Sequence, residues 1–204
     1  MNQLSSRRID EVFHLMGERM ELESVEPLGI VVCGGAALIV RSLVARTTRD
    51  VDVIAMMNPA SDLMSPDPLP ATLVDIAARV AKDLDLPKMW LNNEPSREPG
   101  GLFQMGLPTG FKERLIRRDY GDRLSVYFIS RLDQIHFKVY AAVDSGPGRH
   151  LNDLLQLKPS PDEIEQAARW AVTHDVSDAF RTLLASMLRK LGFNDVAQRI
   201  QNAT

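Results

Sequence analysis

The chain has 204 residues, 45% of them apolar and 25% charged, with a formal net charge of -3. That balance suits one large domain, or one domain with a small helical appendage, built around a real hydrophobic core. It excludes a protein that coats nucleic acid through overall positive charge, so any nucleic-acid contact needs a local basic patch.

The one cysteine, Cys33, rules out a disulfide framework or a cysteine-based zinc site within a single chain, and its apolar setting predicts a small buried hydrophobe. No apolar stretch follows Arg7 and Arg8, and no window approaches the ~18 apolar residues of a membrane span. A cytoplasmic protein without a membrane partner is expected.

In chain order, Ile9, Val12, Phe13, Met16 and Met20 recur at helical spacing, which predicts an amphipathic helix over 6–22 that Glu26-Pro27 breaks. Residues 29–33 are apolar and β-branched, the mark of a buried strand. Gly34-Gly35 follows and a helix is expected over about 36–44. Asp50-Val51-Asp52-Val53-Ile54 alternates acid and apolar residues, a strand of period two. Prolines 59, 66, 68 and 70 predict a loop over 56–70, and Leu73, Ile76, Ala77, Val80 and Leu84 a further helix.

Residues 92–110, rich in Gly and Pro, read as an irregular, mobile lid or substrate loop. Lys112-Glu113-Arg114-Leu115-Ile116-Arg117-Arg118 is the strongest basic cluster. It is either a solvated face or a patch for triphosphate or RNA, with Arg114 and Arg118 one helical turn apart if the segment is helical. Leu124–Ile129 reads as a strand and Ser130 as the cap of the next helix. Ser160-Pro161-Asp162-Glu163 is a strong helix start, and Phe180, Leu183, Leu184, Met187, Leu188 and Leu191 form an apolar stripe ended by Gly192. A domain over 1–158 with a helical region over 159–204 packed on it is expected. His14, His136, His150 and His174 have no metal-ligand spacing, and Trp90 and Trp170 sit in apolar settings that suit core aromatics.

The chemistry concentrates in two places. Strand, Gly-Gly, helix lets a phosphate approach bare backbone, although by itself a Gly-Gly pair is more often a tight turn. Asp50 and Asp52, at i and i+2, would share a strand face about 6.6 Å apart and repel by roughly 2.5 kcal/mol. A solvated edge strand would carry them without consequence, whereas a divalent metal would turn the repulsion into binding, since Mg²⁺ favours carboxylates together with water and nucleotide phosphates. The loop between the two features, Arg46-Thr47-Thr48-Arg49, is basic and polar and suits phosphate oxygens.

These residues resemble a known family. Val31-Val32-Cys33-Gly34-Gly35-Ala36-Ala37-Leu38, then Arg46-Thr47-Thr48-Arg49-Asp50-Val51-Asp52-Val53, is similar to the DNA polymerase beta nucleotidyltransferase superfamily, and closest to the AbiEii-like abortive-infection toxins and their uncharacterised relatives. A second block, residues 130–157, is similar to that family's Lys-x-x-Ala-Ala helix and the Asp-Leu helix after it.

The resemblance implies an α/β (α+β) minimal nucleotidyltransferase fold, a small mixed sheet flanked by helices with a C-terminal helical region. It implies metal (Mg²⁺ or Mn²⁺) on Asp50 and Asp52, and nucleotide against Gly34, Gly35, Arg46, Thr48 and Arg49. Lys138 would contact the nucleotide, and Asp153 would complete the acidic site or orient Lys138. The implied reaction moves a nucleotidyl group from an NTP to RNA (possibly tRNA), a protein or a small molecule, and the toxin branch implies an antitoxin partner.

Read without the family, Lys138 either snorkels or points into a cleft, and Asp153 reads as a solvated helix acid. Two features depart from the pattern. Leu124–Ile129 lacks the third carboxylate that many superfamily members carry on a later strand, leaving Asp122 just before it as the residue that could substitute, and His150 stands where the family has an acid. The alternative reading is a nucleotide-binding or interaction module without catalysis on the same fold.

Overall fold

The computed structural model describes residues 3–146 and 148–202; Pro147, within the second family-like block, lies outside them. The chain divides into two compact units, one ending at Ser130 and one starting at Arg131. The helices expected from 159 onward are joined in the second unit by two helices that precede them.

In the first unit, α1 (Ser6–Leu22) begins where the Ser5 side chain accepts the Arg8 amide, and it buries Ile9, Val12, Phe13, Met16 and Met20, the stripe expected from the spacing. β1 (Leu28–Cys33) leads directly into α2 (Gly34–Val40), which stops short of residue 44 because Ser42 turns left-handed at φ 54°. β2 (Val51–Met57) follows, then β3 (Leu63–Met64), α3 (Ala71–Asp83), β4 (Leu91–Asn92), α4 (Leu102–Met105), β5 (Ile116–Asp119) and β6 (Leu124–Phe128).

Among the described residues the sheet has six strands in the order β3-β2-β1-β6-β5, with β4 also paired to β2. β1 runs antiparallel to β2 and parallel to β6, so the sheet is mixed. The outer edge of β2 is shared: β4 pairs with its first residues and β3 with its last.

The loop expected over 56–70 thus contains the end of β2 and all of β3. The expected lid over 92–110 is not free of the core in its first part. Ser96 is 1% exposed and its hydroxyl donates to the Ile54 carbonyl at 2.7 Å, which fastens the short Glu94–Ser96 turn against β2. Trp90 is a core aromatic, as its setting suggests; its indole N–H donates to the Ala77 carbonyl at 2.9 Å.

The basic cluster is not a helix. Lys112–Arg114 form one short turn, and Ile116–Asp119 form edge strand β5, exposed at all four positions, antiparallel to β6. Arg114 and Arg118 therefore do not share a helix face. Arg117 lies over the Tyr127 ring and pairs with Asp119 at 2.7 Å, whereas Arg118 lies over Phe128 and pairs with Asp10 at 3.3 Å. Successive strand residues face opposite ways, so the basic run is split between two sides. Charge along an exposed edge also discourages pairing with another chain.

The second unit is helical: α5 (Arg131–Asp144), α6 (Gly148–Gln156), α7 (Pro161–His174), α8 (Asp178–Lys190) and α9 (Asn194–Asn202). The start signal at Ser160 forms a full capping box with Glu163, and Pro161 occupies the first helical turn. Arg131 ties the start of α5 to the next link, donating to the Leu157 carbonyl and to Glu163. Trp170 packs among Phe137, Tyr140 and His174. No helix among the described residues is long and apolar enough to cross a membrane.

Candidate functional site

The apolar side chains of β1 and β2 bury the two strands side by side, and their antiparallel register sets Cys33 opposite Asp52. The chain therefore leaves β1 at Gly34 directly beside Asp52. Gly34 has φ +63°, a conformation that L side chains rarely adopt, and a Cβ added to it would lie 2.5 Å from Asp52 Oδ2. Two independent constraints, backbone conformation and space, thus call for glycine there. Asp52 is only partly buried, although its neighbours Val51 and Val53 are enclosed in the core.

Gly35 faces the loop before β2. A Cβ on it would meet Thr48 Oγ1 at 2.8 Å and the Arg46 guanidinium at 3.0 Å. The guanidinium thus stands at the glycine turn, and Arg46 Nη1 also donates to the Thr47 carbonyl at 2.9 Å. Thr48 is 4% exposed and its hydroxyl donates to Asp50 Oδ1 at 2.8 Å, which fixes one carboxylate oxygen and leaves the other oxygen's direction set. Asp50 itself precedes β2 rather than lying in it. Arg49 is exposed on the same loop.

A residue outside the expected site holds this loop in place. Leu4, fully buried, exchanges two backbone hydrogen bonds with Thr48, at 2.7 and 3.0 Å. A lone leucine ahead of the first helix carries no periodic signal, so only the folded chain reveals it.

Gly34, Gly35, Arg46, Thr48, Asp50 and Asp52 thus form one cluster in the first unit. Lys138 and Asp153 belong to the second unit, where they meet each other at 2.8 Å, at side-chain exposures of 6% and 1%. The expectation of a solvated Asp153 is overturned, and Lys138 does not snorkel. α5 and α6 pack on one another, and two charges enclosed there persist because each supplies the other's partner.

Asp122 cannot supply the third carboxylate. Leu124 pairs with Leu28 at the start of β1, whereas the glycine turn follows Cys33 at its far end, roughly 17 Å away at ~3.3 Å per residue. Asp122 lines a shallow groove with Pro27 and Leu28 instead. Among the described residues no group of three or more His, Cys, Asp or Glu is arranged to hold a metal ion.

The residues present still fit a divalent cation that shares its coordination with a nucleotide. Mg²⁺ is commonly held by one or two carboxylates, with substrate phosphates and water completing its shell. Asp50 and Asp52 supply two carboxylates of that kind, and Asp52 Oδ2 lies against the bare backbone at Gly34.

No curated protein and no solved structure matches the chain. Residues 8–146, which include the whole glycine–aspartate cluster and Lys138, match the family described as "Nucleotidyltransferase of unknown function (DUF6036)". The match takes in well over half of the chain, and the protein belongs to that family.

Proposed function

We propose that the protein is a metal-dependent nucleotidyltransferase that uses Asp50 and Asp52 to hold Mg²⁺ or Mn²⁺ and transfers a nucleotidyl group from an NTP to an RNA, with tRNA the acceptor suggested by the likeness to AbiEii-like toxins. The observation that supports this reading is the close approach of the bare backbone at Gly34 to the Asp52 carboxylate, so tight that a Cβ on Gly34 would stand 2.5 Å from Asp52 Oδ2.

Each residue has a role that follows from its chemistry. The bare backbone at Gly34 and Gly35 admits phosphate oxygens closely. The Arg46 guanidinium beside Gly35 offers several N–H donors to those oxygens, and Arg49 extends the basic lip. Thr48 orients Asp50 through its hydroxyl. When bound, the metal neutralises charge at the reacting phosphate and at the departing pyrophosphate. On the family pattern Lys138 contacts the nucleotide and Asp153 orients it. An antitoxin partner follows only from the toxin branch of the resemblance.

The test is incubation of the protein with each labelled NTP, Mg²⁺ or Mn²⁺, and total RNA. Label is expected in RNA, and D52N should reduce transfer by at least about 10²-fold, the order lost when one strong electrostatic contact is removed from an active site. Equal transfer by D52N would overturn the assignment.

A second reading is favoured by one observation, the lack of a third carboxylate at the glycine end of β6. A module that binds nucleotide without transferring it would need only the two acids. Metal-dependent NTP binding with no label moved to RNA, protein or small molecule is its signature.

A further inference from the structure

Two consecutive asparagines follow Trp90-Leu91, and both are enclosed: Asn92 is 4% exposed and Asn93 7%. The fold uses them differently. Asn93 Nδ2 donates to the Pro66 carbonyl and to Asp67 Oδ1, each at 3.0 Å, so its donors are spent on holding the loop. Asn92 spends only its acceptor. Its Oδ1 takes the Glu94 amide at 2.9 Å, which fixes the amide's orientation and identifies the other terminal atom as the NH₂ group. Among the described residues that NH₂ group donates to nothing, yet it is not among the fully enclosed polar atoms and so keeps access to the surface.

Its place in the sheet gives this meaning. β4 pairs in parallel with β2 in the register Asp52↔Asn92, so the two residues are neighbours across the strands. Cys33, the residue before the glycine turn, is paired to Asp52 from the other side. Three adjacent strands therefore bring Cys33, Asp52 and Asn92 into one row, with Gly34 at its end.

We propose that Asn92 is a further nucleotide-binding residue of this site, its side-chain NH₂ donating to an oxygen of the bound NTP beside Asp52. The inference rests on the nucleotidyltransferase reading and adds to it a neutral donor next to the metal-holding acid. An oxygen of the sugar or of the triphosphate satisfies the same donor. If Asn92 only made the turn to Glu94, an Asp or Ser oxygen would serve equally well, and the surface-accessible NH₂ group beside Asp52 would have no use.

The experiment measures binding of a non-hydrolysable NTP, its 2′-deoxy form and its 3′-deoxy form by calorimetry in Mn²⁺, to wild type, D52N, N92A and N92S. Serine keeps an oxygen for the Glu94 amide, so N92S guards against loss of the turn, and thermal melts verify that each variant is folded. N92A and N92S should bind the ribonucleotide about tenfold more weakly, the size of one lost hydrogen bond to a strong acceptor. If a sugar hydroxyl is the acceptor, wild type discriminates against the matching deoxy form and N92A loses that discrimination. If a phosphate oxygen is the acceptor, all three nucleotides weaken equally. Wild-type affinity and unchanged discrimination in both Asn92 variants, with D52N still defective, would overturn this inference alone. No nucleotide binding by wild type would overturn it together with the reading beneath it.

Discussion

The two charged centres of this protein are built on opposite plans. In the second unit, Lys138 and Asp153 are almost wholly enclosed and complete each other at 2.8 Å. In the first, Asp50 and Asp52 are partly exposed, one steadied by a threonine hydroxyl and the other packed closely against the bare backbone of a glycine. Charges that supply their own counterion hold structure, because neither can be removed without stranding the other. The proposed site instead sets two acids beside bare backbone and the Arg46 guanidinium, so on that reading a cation from solution adds to the compensation. The difference separates charges neutralised by each other within one unit from acids placed beside bare backbone.

The largest break of that contrast is K138M, which leaves Asp153 enclosed without its counterion. Destabilisation of about 3–5 kcal/mol is expected in denaturant titration, with most of it recovered by K138M combined with D153L. A loss under about 1 kcal/mol for K138M would mean that the pair does not hold the second unit together. In contrast, D52N should shift stability by no more than about 1 kcal/mol, as for substitutions away from the packed core.

Ligand linkage sharpens the other half. A saturating nucleotide with Mn²⁺ stabilises the wild-type protein by about 2.7 kcal/mol at a hundredfold excess over Kd, and D52N should show no such gain in a thermal melt. An equal gain in both would move the metal away from Asp52. Next in size is G34A. The left-handed backbone alone costs roughly 1–2 kcal/mol with a Cβ present, and the methyl group also displaces the Asp52 carboxylate. Mn²⁺ binding should therefore weaken more in G34A than its modest loss of stability explains.

Much of this arrangement is legible in the sequence, for definite reasons. The strand before Gly34 and the alternation through Asp52 reflect burial periodicity, a strong local signal, and their separation leaves room for one helix and a return loop. The β3 and β4 strands are not legible because two residues carry no period; their partners on β2 define them. β5 misleads because Ile116-Arg117-Arg118-Asp119 has no buried face to pattern, so the charged run reads as a helix surface or a phosphate patch. Asp153 misleads in the opposite sense. An acid in a short helix is usually solvated, and the contact with Lys138 on another helix helps to explain its enclosure. Asn92 falls between these cases, since its meaning comes from register with Asp52 and not from its neighbours in the chain.

The smallest predicted effect asks whether the second unit's partly exposed ion pair behaves like its buried one. Glu163 closes the capping box of α7 and pairs with Arg131 at 2.5 Å, with side-chain exposures of 26% and 34%. Burial raises its pKa, but the Arg131 guanidinium and the Ser160 amide outweigh burial and hold the carboxyl below the ordinary glutamate range. A carboxyl depressed in the folded state contributes stability above its unfolded pKa, and that contribution is lost as pH falls through the folded value. The melting temperature of the wild type should therefore decline between about pH 5 and pH 3, and E163Q should flatten that decline while keeping the box, because glutamine also serves at the third helical position. At neutral pH the substitution should cost under about 1 kcal/mol, as for pairs in contact with water. An acid limb unchanged in E163Q would place the acid sensitivity at other carboxylates and reduce the Arg131 contact to geometry.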